Sequence, residues 1–125
     1  MAGYVDGFVV VIKKGQVGAY KKMAAAAGKV WKKYGALTYI EAVGDDLKPS
    51  MGGMKALTFL KLAKPKAGEK VAFSFITYKS RAHRNSVNAK VMSDKSMIEY
   101  SKKKIPMPFD MKKIAYGGFK VLVDA

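Results

Sequence analysis

Residues 4–12, YVDGFVVVI, set the first constraint on this chain. In an extended conformation Tyr4, Asp6, Phe8, Val10 and Ile12 point one way, and Val5, Gly7, Val9 and Val11 the other. Both sides are largely apolar, so the strand needs cover on both faces and belongs inside a sheet. The run is too short to span a membrane. No basic segment precedes it, so it reads as a strand and not as a signal sequence. A chain of 125 residues, 50% of them hydrophobic, suits one domain over residues 1–125 with a single core.

The remaining elements follow from periodicity and turn chemistry. Residues 16–34 carry Val17, Tyr20, Ala24, Ala27, Trp31 and Tyr34 at three- and four-residue steps, one apolar helical stripe, and Gly35 suits its C-terminal cap. Trp31 reads as a core or interface anchor. Residues 37–43 form a second strand, with Leu37, Tyr39, Glu41 and Val43 on one side. Residues 50–68 are ambiguous: 54–62 fits an extra strand, but Gly52-Gly53 and Pro65 suggest an irregular excursion. Residues 71–78 alternate as a strand. Ser80 is placed to cap a helix over 81–93, in which His83, Val87 and Val91 share one side and Arg81, Arg84 and Asn88 another. A short helix over 95–100 follows. Two prolines keep residues 105–110 extended. The last strand is expected over 114–123, with Gly117-Gly118 marking a bulge or a close backbone approach.

This order, strand–helix–strand–strand–helix–strand, is that of ferredoxin-like α+β folds, an antiparallel sheet with its helices on one face. The opposite face stays open, yet the strands are apolar there too. A second copy packed sheet to sheet would cover it, which predicts a homodimer.

The chain resembles the YbaA-like family, small bacterial proteins of unknown function in the dimeric α/β-barrel superfamily. The matching segments include Tyr4-Val5-Asp6-Gly7-Phe8-Val9, Ala27-Gly28-Lys29-Val30-Trp31 and Tyr34-Gly35-Ala36-Leu37. Ser80-Arg81-Ala82-His83-Arg84-Asn85, Met107-Pro108-Phe109-Asp110 and Tyr116-Gly117-Gly118-Phe119 follow in order. The resemblance implies a ferredoxin-like subunit and a dimer whose two sheets close into an α/β barrel. It implies no reaction and no catalytic residues.

Composition narrows the chemistry. The chain has no cysteine, which excludes disulfides, zinc–thiolate sites and thiol catalysis and fits a cytoplasmic location. No phosphate loop or nucleophile elbow is present, and one histidine among scattered carboxylates is poor metal-site material, so no metal and no cofactor are expected. Three functional readings remain. In the first, a small-molecule site uses Asp6, Glu41 and His83 for proton transfer, with Tyr39 and Tyr116 as hydroxyl donors. The opposing reading makes Asp6 a partner of a lysine or a loop cap, and His83 an ordinary helix residue. In the second, the start of the 81–93 helix binds an anion through Arg81 and Arg84, with Asn88 beside them. These are the only arginines among 24 basic residues; they would otherwise pair structurally with an acid such as Asp94, Asp110 or one of a partner chain. In the third, the net charge of +15 and the aromatics of residues 71–78 serve nucleic-acid binding. A structural role without any ligand is the further alternative. Together these favour binding or turnover of a small ligand, an anionic one included, with an enzymatic step left open.

Overall fold

The structure, a computed structural model, describes residues 2–50, 52–53 and 55–125. Strand β1 (Tyr4–Ile12) is central, as its two apolar sides require. It pairs antiparallel with β3 (Lys70–Tyr78) on one edge and β4 (Ala115–Lys120) on the other. Strand β2 (Thr38–Val43) completes an antiparallel sheet of order β2-β3-β1-β4.

Helices α1 (Val17–Lys33) and α3 (Arg81–Met92) cover one face. In α1 the predicted stripe is the packed one, with Tyr20, Ala24 and Gly28 buried. The helix stops at Gly35, whose φ of +110° suits glycine. There Gly35 N–H donates to Lys32 O and Ala36 N–H to Trp31 O, a Schellman cap. Ser80 caps α3 by accepting from His83 N–H at 3.1 Å. Val87 and Val91 of α3 are buried against Tyr4, Ile76 and Tyr78; each such valine contributes about 1.5–3 kcal/mol.

Residues 50–68 depart from the strand reading. Met51 and Met54 lie outside the described residues, and the segment ends in a short helix, α2 (Phe59–Ala63). Thr58 starts it by accepting from Lys61 N–H. Ala63 and Leu60 then cover Val11 and Val71 on the sheet face opposite α1 and α3. Helix α4 (Lys95–Lys102) runs two residues beyond expectation, capped by Asp94. The final strand is shorter than residues 114–123 and carries no bulge: its register with β1 is unbroken from Tyr4↔Lys120 to Val9↔Ala115. The glycines instead permit close approach. A Cβ on Gly118 would overlap the Tyr4 hydroxyl and stand 2.8 Å from Arg84 Nη2.

Cover of the second face is partial. Ile40 (44% exposed), Phe73 (45%, edge-on to Phe59) and Phe119 (61%) remain partly open on it. The Phe119 ring rests over the cross-strand glycines Gly7 and Gly117. No helix among the described residues is long and apolar enough to cross a membrane.

Candidate functional site

Alternation along the strands decides which polar groups meet the helices. Asp6 and Glu41 both point to the α1/α3 face, but β3 runs between their strands. They therefore nucleate two separate centres.

The first centre joins β1 to α3. The packed stripe of α3 is Arg84, Val87, Asn88 and Val91, an i, i+3, i+4, i+7 set of which half is polar. Arg84 Nε lies 3.5 Å from Asp6 Oδ1, and its Nη2 donates to Tyr4 Oη at 3.0 Å. The guanidinium also sits over the Tyr4 ring, 5.1 Å from its centroid. Asn88 Oδ1 accepts from Trp31 Nε1 at 3.1 Å and from the Tyr78 hydroxyl at 3.3 Å. Asp6 is 1% exposed. Burial raises its carboxyl above the ordinary 3.8, outweighing the Arg84 charge and the hydrogen bonds of Asn88 and Tyr78 that favour the anion. Burial and the nearby Asp6 charge likewise push the Tyr78 hydroxyl upward. Tyr116 stacks on Phe8, centroids 4.7 Å apart, and remains 55% exposed on β4.

The second centre lies between α1 and β2. Glu41 Oε1 accepts from the Tyr20 hydroxyl at 2.7 Å, and Oε2 from the Tyr39 hydroxyl at 3.0 Å. Burial, then the Glu41 interaction, raises both phenols well above their ordinary value, so both remain donors. These groups line a cleft of about 880 Å³ floored by Ile12, Val17, Ala24, Ala25, Val43 and Ala72. At one wall the Tyr39 ring lies so close over Gly28 that a Cβ there would come within 2.8 Å of it. Lys21, Lys29 and Lys32 also line the cleft. Lys32 is engaged, donating to Leu37 O at 2.7 Å. Among the described residues the basic members of ion pairs are Lys33, Arg84 and Lys113, so Lys21 and Lys29 keep unpaired charges.

His83 joins neither centre. Its Nδ1 accepts from Lys79 N–H at 3.0 Å, and its ring packs edge-on to Tyr78 at 6.0 Å. The two arginines part company as well: Arg81 is exposed, whereas Arg84 turns inward to Asp6. The structural partner of an arginine is thus Asp6, and Asp94 instead binds Lys33, Tyr34 and Ser96. The aromatic run of β3 divides between faces: Ile76 and Tyr78 are buried, while Phe73 lies on the opposite side. No group of three or more metal-ligating side chains stands together among the described residues. Tyr4, Tyr20, Tyr78, Lys21 and Lys29 were not singled out from sequence. For the tyrosines the available signal is the rule that a buried hydroxyl needs a partner; Lys21 and Lys29 carry no signal that sets them apart from the other lysines.

Comparison with known proteins agrees with this absence of an assigned chemistry. A family model described as "Protein of unknown function (DUF1428)" matches residues 3–111. "Uncharacterized protein YbaA" of Escherichia coli (strain K12) is 39% identical over 121 residues, covering 97% of each chain. The proteins of the same name from Escherichia coli O157:H7 and Shigella flexneri match to the same extent, 39% over 121 residues. With most of its length inside the family model and relatives aligned across nearly all of it, the chain belongs to this bacterial family of unknown function.

Proposed function

We propose that the chain is a ferredoxin-like subunit, that two copies close their open sheet faces into an α/β barrel in the cytoplasm, and that each copy binds a small anionic ligand with an apolar body between α1 and β2. The cleft carries this reading. Its roughly 880 Å³ falls in the range of small-molecule sites. Its apolar floor rewards burial of a hydrocarbon or ring, and the unpaired Lys21 and Lys29 supply the complementary charge. The dimer is supported by the aromatic and aliphatic groups left open opposite the helices. A cysteine-free chain is at home in a reducing compartment.

Calorimetric titration with dodecanoate tests the site. Saturable binding of one molecule per chain is expected. Lys21→Glu/Lys29→Glu should weaken it about tenfold while leaving binding of the uncharged dodecanol unchanged. Equal loss for both ligands, or no saturable binding, overturns the reading.

A further inference from the structure

Glu41 gives the cleft a second polar end. A carboxylate has about four acceptor positions, and the Tyr20 and Tyr39 hydroxyls fill one on each oxygen. The remaining positions belong to a half-buried group on the wall of a cleft floored by apolar side chains. Each neighbouring phenol already commits its proton to Glu41, so neither donates to a ligand, and the charged carboxylate is the strongest acceptor the cleft offers. The unpaired cations, Lys21 and Lys29, are exposed on α1 at the rim. The cleft therefore presents donors of positive charge at its mouth, hydrocarbon along its floor and an anionic acceptor on its wall.

We propose that the ligand is an apolar carboxylic acid that also bears a hydroxyl group remote from its carboxylate. The carboxylate meets Lys21 or Lys29, and the hydroxyl donates to Glu41. A simple fatty or aryl acid leaves the remaining acceptor positions of Glu41 facing hydrocarbon, at a desolvation cost that the two phenols only partly offset. An acid with a remote hydroxyl removes that cost. A dicarboxylate is rejected by the charge of Glu41 itself. This inference rests on the cleft being the binding site, and it adds the chemistry at the second end.

The experiment compares ω-hydroxydodecanoate with dodecanoate by calorimetry, on the wild-type chain and on Glu41→Gln. On the wild type the hydroxy acid should bind about tenfold tighter, the worth of one hydrogen bond to a charged acceptor. In Glu41→Gln, which keeps the side-chain shape, that preference should fall to about threefold or less, because a neutral acceptor bonds roughly half as strongly. Equal affinities on the wild type, or tighter binding of dodecanoate, overturn the assignment while leaving the cleft as the site. A preference undiminished in Glu41→Gln overturns the role of Glu41. Failure of both acids to bind removes the cleft reading and this inference together. Should the variant not fold, the wild-type comparison alone still decides.

Discussion

Asp6 Oδ1 and Arg84 Nε face each other at 3.5 Å, and both are buried without a hydrogen-bond partner. The pair is an ionic contact, not a fitted bidentate bond. Its removal should be felt asymmetrically. Arg84→Leu leaves a buried carboxylate unpaired and should destabilise the fold by about 3 kcal/mol at neutral pH. Asp6→Leu/Arg84→Leu should lose less than that single change. Urea midpoints of the two variants check the order; a double variant weaker than the single one would show that the lone carboxylate carries no such penalty.

Two carboxyls should shape the pH profile in opposite senses. Folding raises the Asp6 pKa above 3.8, so its contribution is complete below that value and is lost as pH rises through the folded pKa. Asp94 is held well below 3.8 by the Ser96 hydroxyl first and Tyr34 second. Its contribution is complete above 3.8 and disappears as pH falls. Denaturation across about pH 2 to 7 should therefore show Asp6→Asn flattening the profile above about pH 4, and Asp94→Asn flattening it below.

Two glycines of α1 should respond oppositely to the same change. Nothing lies within 4 Å of a Cβ built on Gly18, so Gly18→Ala should gain about 0.5 kcal/mol from backbone entropy. At Gly28 the Tyr39 ring stands 2.8 Å from the added atom. Overpacking of about 1–3 kcal/mol should exceed the helix gain of about 1 kcal/mol. Thermal melts give both signs, and Gly28→Ala should also weaken dodecanoate binding by displacing Tyr39.

The open sheet face predicts an oligomeric state. Sedimentation at micromolar concentration should give twice the chain mass of 13.7 kDa. Phe73→Asp should reduce it to a single copy, since Phe73 is 45% exposed on that face and a buried unpaired carboxylate opposes association. Wild-type protein that sediments as one copy would remove the barrel.

Patterning made the sheet and its two main helices legible because the apolar periods there are long and uninterrupted. The 50–68 segment resisted because its helix depends on tertiary contact: Leu60 and Ala63 gain cover only once Val11 and Val71 are in place. At the sites, Asp6 and Glu41 stood out as acids within apolar strands. Their partners did not, since Tyr20–Glu41 and Arg84–Asp6 span long stretches of chain. The wheel of α3 set Arg84 and Asn88 apart from Val87 and Val91, whereas the packed stripe includes all four. His83 is the one histidine of the chain, yet a rare residue carries no information about where its ring will lie.

The placement of β1 has a consequence for biosynthesis. It precedes the other three strands and lies between β3 and β4, and it has no pairing with β2. A ribosome must therefore deliver residues 70–78 before β1 can pair with another strand; α1 alone can cover one of its faces earlier. Nascent chains arrested short of that point should stay protease-sensitive over residues 4–12, and those arrested beyond it should not. Until then both backbone edges of this apolar ribbon stay unpaired, and translation speed across the first half decides how long.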